Sequence, residues 1–466
     1  MQDMQTSTIA ALATPGGSGG IGIIKISGPL AVSIAEAIFW PAKGSRRSKN
    51  FQSHQLYYGH IVEPESRTAL DEVLISVMKA PFSYTREDVV EINTHGGAVA
   101  AQTILSLVMK TGAQLAEPGE FTRRAFLNGR IDLTQAEGVI DLIHARSRKA
   151  LEFAAAQIEG ELSQRIKAVR DFLLGLRVRL EAAIDFPEEV NDLVDPHQTA
   201  ERIQRLAVQP LTRMIQSHSV GNLFRSGIKL TIVGKPNVGK SSLLNRLVHK
   251  QRAIVTDIPG TTRDVVEDVI QVKGLPIILM DTAGYHQTSH VVERIGVEKT
   301  KECIAQSDVV VFVVAADCPL SPDDRELYQM IRFKPHVVAA NKSDIADSSA
   351  VKEIFESFAS ATQPLLISAL HDRGIEELKQ SIYSLIGGDH PIEVVDPVVP
   401  NVRQHALLEK SLGAVNSVVK TIENGTPYEC VAIHLEEAVD ALGDILGINV
   451  KDDILDRIFS QFCIGK

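Results

Sequence analysis

The residues with the clearest chemical potential lie in a glycine-rich run near the middle of the chain. Residues 234–241 read Gly-Lys-Pro-Asn-Val-Gly-Lys-Ser and follow a short apolar stretch. Glycines let backbone N–H groups approach a phosphate closely, and a helix N-terminus behind them adds partial positive charge. Lys240 is expected to reach the β- and γ-phosphates, and Ser241 to ligate magnesium. The run predicts a phosphate-binding loop of the Walker A type.

Three further segments follow in the order that a guanine-nucleotide site requires. They are Asp-Thr-Ala-Gly at 281–284, Asn-Lys-Ser-Asp at 341–344 and Ser-Ala at 368–369. Asp281 can hold magnesium through water, and the Gly284 N–H can sense the γ-phosphate. Asp344 can accept from the ring N–H and the amine of guanine together, a donor pair that adenine lacks. The segment at 368–369 can place a backbone N–H on the guanine oxygen, so we expect GTP rather than ATP.

A loop at residues 256–264, Thr-Asp-Ile-Pro-Gly-Thr-Thr-Arg-Asp, lies where the first switch should be. A threonine there can complete magnesium coordination in the GTP state, and the spacing favours Thr262 over Thr261. Many small GTPases carry a water-positioning Gln after Asp-x-x-Gly, but this chain has Tyr285. Catalysis must therefore be arranged differently. The predicted nucleotide contacts are Asn237, Val238, Gly239, Lys240, Ser241, Ser242, Thr256, Asp257, Ile258, Pro259, Gly260, Thr261, Thr262, Asp281, Thr282, Ala283, Gly284, Asn341, Lys342, Asp344, Ser368 and Ala369.

The elements that must position these residues alternate between strands and helices from about residue 227 to 386. Such alternation is typical of a doubly wound α/β domain, and its longest apolar run, at 309–316, predicts a buried parallel strand. Residues up to about 129 mix short β-rich runs with many turn residues and indicate an α+β domain.

Helical patterns flank the α/β segment on both sides. One buried stripe, typical of a helix packed on helices, is predicted at Leu162, Ile166, Val169, Leu173, Leu176 and Leu180. After several prolines, the pattern resumes at residues 404–462, and one helix face is predicted from Ile454, Leu455, Ile458, Phe459 and Phe462. The two flanks could form one bundle into which the α/β domain is inserted, but the pattern alone leaves this open.

Composition limits the classes of function. A chain of 466 residues is too long to fold around a single hydrophobic core, and its length suggests about three domains. A net charge of -10 argues against gripping nucleic acid by bulk electrostatics, so any RNA contact must be local or shared with a partner. The four cysteines are far apart, which supports neither a zinc site nor a disulfide framework. With no signal-peptide pattern and no bilayer-length apolar run, we expect a cytoplasmic protein without a membrane anchor.

Motifs along the whole chain resemble those of the MnmE/TrmE family of tRNA-modification GTPases. In the central region these are the phosphate loop, Pro-Gly-Thr-Thr-Arg-Asp at 259–264 and Val-Glu-Arg-Ile-Gly at 292–296. In the first third they are Ala-Thr-Pro-Gly-Gly at 13–17, Glu-Asp-Val-Val-Glu at 87–91, Pro-Gly-Glu-Phe at 118–121 and Phe-Leu-Asn-Gly-Arg at 126–130. The most specific part is the terminal Cys-Ile-Gly-Lys at 463–466, together with the folate-type N-terminal segments.

The resemblance implies an α/β P-loop G domain inserted in an all-α helical domain, preceded by an α+β folate-binding N-terminal domain. The implied boundaries are 1–129 for the tetrahydrofolate-binding and dimerisation domain, 130–226 and 387–466 for the helical domain, and 227–386 for the G domain. Family members hydrolyse GTP with potassium stimulation as homodimers whose G domains pair.

The implied reaction adds a carboxymethylaminomethyl-type group at carbon 5 of the wobble uridine of certain tRNAs. A flavin- and NADH-using MnmG/GidA-type partner takes part, in a heterotetramer, and a 5-formyltetrahydrofolate-type folate supplies the one-carbon unit. The resemblance also implies Mg²⁺ and K⁺ as cofactors.

Site residues carried over from the family are grouped by role. Potassium would be ligated at Asn237, Thr256, Ile258 and Thr261, and magnesium at Ser241 and Thr262. Glu293 would orient the attacking water through a second water, although an exposed helix-face glutamate is the plainer interpretation. The folate positions are Lys25, Glu91, Arg130 and Lys466. Lys25 stands where the family often has Arg, and Arg130 where Lys is usual, so charge is kept but bidentate geometry at position 25 is lost.

Cys463, near the C-terminal end of the sequence, is a candidate reactive thiol, with a buried inert cysteine as its alternative. Two rival functions also remain at this level. One is a regulatory GTPase switch acting in ribosome or RNA assembly without modification chemistry, and the other is a scaffold that binds GTP without turnover.

Overall fold

The computed structural model describes residues 7–15, 17, 19–42, 51–186, 195–249, 268–280, 301–358, 363–387 and 396–466. Its N-terminal part is a seven-stranded sheet in the order β3-β4-β5-β6-β2-β1-β7. The strands are β1 Ile9–Leu12, β2 Ile21–Ser27, β3 Phe39–Pro41, β4 Gln55–Val62, β5 Ala69–Met78, β6 Val89–His95 and β7 Gln114–Leu115. All neighbouring pairs are antiparallel except β1 with β7.

Two helices pack on one face of this sheet, whereas the opposite face is buried under Phe121 at Ile9 and Ala11 of β1 and exposed at Leu56 and Leu74. The two helices are α1 Ala31–Ile38 and α2 Ala98–Lys110, and α3 Glu120–Leu127 follows β7. Alternation along the strands explains the two faces, because Val73, Ile75 and Val77 of β5 are buried with the helices while Leu74 between them is 44% exposed. The predicted α+β unit is confirmed.

The first helical flank begins directly after α3. Its helices are α4 Leu133–His144, α5 Arg148–Glu159, α6 Glu161–Asp185, α7 Pro196–Ile203 and α8 Gln209–Ser226, with a π-helical turn at Gln204–Val208 joining the last two. The predicted stripe is confirmed on α6, where its six residues are all buried.

An α/β unit follows, with a six-stranded sheet in the order β13-β12-β11-β8-β10-β9. Its strands are β8 Ile228–Val233, β9 Asp268–Val272, β10 Leu275–Met280, β11 Val309–Ala315, β12 His336–Asn341 and β13 Leu365–Leu366. Its helices are α9 Lys240–His249, α10 Pro322–Ile331, α11 Ser348–Phe358 and α12 Ile375–Gly387. Only β9 with β10 is antiparallel among the paired strands described, and β11 is buried along its whole length, as predicted.

The second helical flank completes the first. Its helices are α13 Val402–Glu423, α14 Tyr428–Leu446 and α15 Asp452–Phe459. One hydrophobic core joins Leu173 and Leu211 of the first flank to Val415 and Leu435 of the second. The question left open by the pattern is therefore answered, because both flanks form one bundle with the α/β unit inserted between them, and the predicted fold class is confirmed.

The predicted apolar face near the C-terminal end is wrong at two residues. Ile454 is 44% exposed, because it lies on the solvent side of α15, whereas Leu455, Ile458 and Phe459 are buried. Phe462 is buried but lies beyond the end of α15. Within the described part of the chain, no helix is both long enough and apolar enough to cross a bilayer.

Candidate functional site

The phosphate loop joins the end of β8 to the start of α9 and is built on tight backbone. A Cβ on Gly234 would lie 2.3 Å from the Val313 carbonyl oxygen, so no larger residue fits there. Asn237 and Gly239 have left-handed φ angles of 65° and 95°. These turns need glycine or asparagine, which explains the sequence of the loop.

Lys240, the first residue of α9, turns back into the loop. Its Nζ donates to the Gly234 oxygen at 2.7 Å and to the Lys235 oxygen at 2.8 Å. Burial lowers the pKa of Lys240 from its usual value. The ammonium is thus held inside the curve of the loop, while Asn237, Ser241 and Ser242 around it are exposed to solvent.

A second ion pair anchors this loop to the neighbouring helix α10. Lys235 Nζ lies 2.8 Å from Asp324 Oδ2, and the Asp324 side chain is only 1% exposed. The same carboxylate accepts from the Ser321 hydroxyl at the start of α10. The loop is therefore fixed from outside as well as by its own backbone.

The segments predicted to select guanine meet at the ends of β12 and β13. Asn341 is 2% exposed; its Nδ2 donates to the Val238 oxygen at 2.8 Å, and its Oδ1 accepts from the Ala369 N–H at 3.0 Å. The Ser368 hydroxyl donates to Asp344 Oδ1 at 2.6 Å, and this bond holds the pKa of Asp344 below its usual value. The structure brings three separate motifs together, with an ionised acceptor at Asp344. The Lys342 ammonium pairs with Asp317 at 2.9 Å.

Part of the predicted nucleotide site lies outside the described residues. This applies to Thr256, Asp257, Ile258, Pro259, Gly260, Thr261, Thr262, Asp281, Thr282, Ala283, Gly284 and Glu293, as well as to Tyr285. Within the described ranges, no group of three or more His, Cys, Asp or Glu side chains could hold a metal ion.

The N-terminal candidates lie at the face of the first sheet opposite α1 and α2, where the Lys25 side chain is 13% exposed. Lys25 on β2 and Glu91 on β6 are register partners, and Lys25 Nζ lies 3.9 Å from Glu91 Oε1. Burial lowers the pKa of Lys25, Glu91 opposes this shift, and the charge of Lys466 adds to it. Lys466 is therefore close enough to Lys25 for the two cations to repel each other.

An aromatic ring links two of these cations, and the motifs gave no sign of it. The Arg130 guanidinium lies 4.7 Å from the centre of the Tyr84 ring, and Lys25 Nζ lies 5.4 Å from it. The Tyr84 hydroxyl lies 2.9 Å from Thr122 Oγ1. The centre of the Phe121 ring lies 5.3 Å from Lys25 Nζ. Cation–π contacts at these distances are attractive. Tyr84 and Phe121 thus form an aromatic base that sequence reasoning missed, because one lies between β5 and β6 and the other in α3, and only the tertiary fold brings them together.

The C-terminal tail reaches the same area. A Cβ on Gly465 would lie 2.8 Å from the Ala13 Cα and from the Leu12 oxygen, so the tail packs directly against β1 and the residue after it. The Lys466 N–H donates to the Cys463 oxygen at 3.3 Å, and Cys463 is half-buried. All four predicted folate residues therefore surround one region beside the first sheet.

Comparison with known proteins agrees with this architecture. Residues 133–463 match the family described as the MnmE helical domain, and residues 8–130 match the GTP-binding protein TrmE N-terminus. The chain is 46% identical over 466 residues to the tRNA modification GTPase MnmE of Moorella thermoacetica, covering 99% of this chain and 100% of that one. It is 45% identical to the protein of the same name from Carboxydothermus hydrogenoformans, with the same coverage.

Among solved structures, a variant of Aquifex aeolicus Era bound to GDP and aluminium fluoride is 31% identical, over 40% of this chain and 66% of that one. Its TM-score of 0.28 is too low to support any inference about this chain. The chain belongs to the MnmE family of tRNA modification GTPases.

Proposed function

We propose that this GTPase is stimulated by potassium and modifies carbon 5 of the wobble uridine of certain tRNAs. With a flavin-dependent MnmG/GidA-type partner, it would add a carboxymethylaminomethyl-type group whose one-carbon unit comes from a tetrahydrofolate. The observation that carries the proposal is a second polar site, formed by Lys25, Glu91 and Arg130 far from the phosphate loop in sequence. A regulatory switch has no need of that site.

The described donors of the nucleotide site fit hard cations. Ser241 offers an exposed hydroxyl in the first turn of α9, and Asn237 offers amide and backbone oxygens in an exposed left-handed turn. Magnesium prefers such oxygen ligands, and Thr262 would complete its set. Potassium would be held by Asn237 with Thr256, Ile258 and Thr261. A monovalent cation beside the phosphates supplies the charge that an arginine finger supplies elsewhere.

The chain's own residues then divide the work of hydrolysis. Lys240 holds the β- and γ-phosphate oxygens, for which its position inside the loop is suited. Asp344 accepts from the guanine edge, and Asn341 keeps the base segment against the phosphate loop. Glu293 would orient the attacking water through a second water, in place of the glutamine that Tyr285 replaces.

The N-terminal cluster fits the chemistry of a folate. Glu91 can accept from the pterin ring N–H and amine, while Lys25, Arg130 and Lys466 can neutralise the carboxylates of the glutamate tail. Three cations against one carboxylate leave an excess of positive charge for an anionic ligand. The Tyr84 ring adds a flat apolar surface of the kind that pterins contact. Cys463, on the tail beside this cluster, is proposed as a reactive thiol in the modification.

The face of the first sheet opposite α1 and α2 supports homodimer formation. Exposed apolar side chains on this face include Ile21 at 64%, Leu56 at 67%, Tyr58 at 54% and Leu74 at 44%. Contiguous exposed apolar surface marks an interaction site. A second copy covering this face would leave the Lys25 cluster next to the interface, since β2 places Ile21 and Lys25 on the same side.

The remaining proposals follow from the family. The domain boundaries are taken at 1–129, 130–226 with 387–466, and 227–386. Two copies of this chain and two copies of the flavoprotein would form a cytoplasmic heterotetramer that acts on tRNA.

The proposal is tested by analysing the nucleosides of tRNA from cells that lack this protein. We expect the modified wobble uridine to be missing, and to return with the wild-type gene or with Arg325→Ala as a matched surface control. Lys240→Ala and Glu91→Gln, one at each site, should both fail to restore it. Unchanged wobble uridines in the deletion strain would contradict the proposal and favour the regulatory switch.

A further inference from the structure

Arg246 on α9 connects the phosphate-binding helix to the guanine-binding loop. Its Nε donates to the Ala369 oxygen at 3.1 Å, and its Nη2 donates to the Leu370 oxygen at 2.7 Å. The Leu370 side chain is 70% exposed, so packing of that side chain does not hold the loop. The planar guanidinium of Arg246 thus binds two adjacent backbone carbonyls.

This contact closes a ring of bonds around the nucleotide site. From Ala369 the ring continues through its N–H to Asn341 Oδ1 at 3.0 Å, and from Asn341 Nδ2 to the Val238 oxygen at 2.8 Å. Val238 lies in the phosphate loop, two residues before Lys240, and α9 leads from Lys240 to Arg246. Since each link is a covalent segment or a hydrogen bond, the ring fixes the separation between the phosphate and guanine segments.

We propose that Arg246 is a positioning residue for guanine recognition. When the Ala369 N–H exchanges Asn341 Oδ1 for the guanine oxygen, the two Arg246 bonds still hold the loop at 368–370 to α9, while Lys240 holds the phosphates. Arg246 itself does not touch the nucleotide. The proposal rests on the proposed role of Ser368 and Ala369 at the guanine oxygen.

The chemistry of the side chain explains why arginine serves here. A guanidinium presents parallel N–H groups that match two carbonyls at once, whereas a lysine ammonium is a point charge on a flexible stem. Arg246→Lys keeps the charge but loses this fit, and Arg246→Ala loses both. A graded effect across the two variants is therefore expected.

The test compares GTP with 6-thio-GTP, which differs only at the guanine oxygen and accepts hydrogen bonds poorly there. Affinities of the full chain are measured by displacement of a fluorescent GDP. We expect wild type to prefer GTP, and Arg246→Ala to bind GTP about tenfold more weakly and lose most of that preference. KM for GTP should rise with little change in kcat, and Arg246→Lys should be intermediate. Arg325→Ala, which removes an exposed arginine paired with Glu353 on the same unit, should match wild type.

The outcomes distinguish the positioning role of Arg246 from the proposed contact between the loop at 368–369 and the guanine oxygen. If wild type prefers GTP and Arg246→Ala prefers it equally, the positioning role is overturned. Equal loss of both nucleotides with a lowered melting temperature would also overturn it, because that is the result of general destabilisation. If wild type binds both nucleotides equally, the loop contact to the guanine oxygen is itself wrong, and the role of Arg246 fails with it.

Discussion

The nucleotide site and the N-terminal cluster are built in different ways. At the nucleotide site, Gly234, Val238 and Ala369 contribute backbone groups from loops at the ends of parallel strands. In the N-terminal cluster, side chains from β2, β6 and the C-terminal tail meet at the face of the first sheet opposite α1 and α2. Backbone recognition requires short fixed motifs, whereas a side-chain cluster can be assembled from any distant positions. This is why the first site can be found from its residues and the second needed a family resemblance.

The two sites also hold their lysines differently. Burial lowers the pKa of both Lys240 and Lys25, but Lys240 has neutral carbonyls as partners, while Lys25 lies between a carboxylate and another cation. The N-terminal cluster should therefore respond more to pH and to its tail. The comparison predicts two sites that can be inactivated separately.

The largest effect is expected from removal of residues 463–466, which takes away Cys463 and Lys466. The modified nucleoside should disappear, because the N-terminal cluster loses one cation and the candidate thiol beside it. Intrinsic GTP hydrolysis should stay within about twofold of wild type, since distant sites act independently. Nucleoside analysis and phosphate release measure the two activities, and Ile464→Ala, at an exposed tail position, is the control. Loss of both activities together would mean that the tail is structural.

Asp344→Asn should produce the next largest effect, on GTP binding alone. The amide would present a donor to the guanine edge where an acceptor is needed, leaving a polar contact unpaired. Affinity for GTP should fall by about a hundredfold or more, and xanthosine triphosphate should bind better than GTP.

The control for Asp344→Asn is folate affinity, which should not change, because the two sites share no residues. Titration calorimetry with each ligand measures both quantities. Unaltered GTP affinity would show that residues 341–344 do not bind the base.

Replacing potassium by sodium should slow hydrolysis by at least about tenfold, because an arginine finger in this place is worth roughly 10³ to 10⁵ in rate. Sodium is too small to contact every ligand of a cage built for potassium. Asn237→Ala should remove most of this ion sensitivity and weaken G-domain association in potassium. Equal turnover in the two salts, at matched ionic strength and saturating GTP, would rule the mechanism out.

The smallest effect concerns the pH dependence of folate binding. The pKa of Lys25 is lowered, chiefly by burial, so its positive charge is lost at a lower pH than that of an ordinary lysine. Folate affinity, measured by fluorescence quenching, should therefore fall as the pH rises through the lowered pKa of Lys25, before an ordinary lysine loses its charge. Lys25→Arg stays charged and should abolish this decline. A decline that persists in Lys25→Arg would assign the titration to another group.

Local patterns predicted most of the fold. The stripe from Leu162 to Leu180 and the apolar run of β11 are both buried as expected, because periodicity reports directly on burial. Ile454 was assigned wrongly, since neighbouring apolar residues at a helix end do not reveal which of them meets solvent. The π-helical turn at Gln204–Val208 had no signal in the sequence.

Contacts between distant segments were beyond sequence reasoning. The register that pairs Lys25 with Glu91 depends on how β2 and β6 align, and the contact of Arg246 with Ala369 depends on where the segment after β13 meets α9. The roles of the predicted site residues remain predictions.

The most direct test of the account is transfer of carbon from folate to tRNA in a purified system. The full chain, the flavoprotein partner, substrate tRNA, GTP and potassium are combined with a folate labelled in its one-carbon unit. The account predicts label in the carbon newly bonded to carbon 5 of the wobble uridine, lost when GTP is omitted or when Glu91→Gln replaces wild type. Modified tRNA that carries no label, or label that appears equally without GTP, would contradict it.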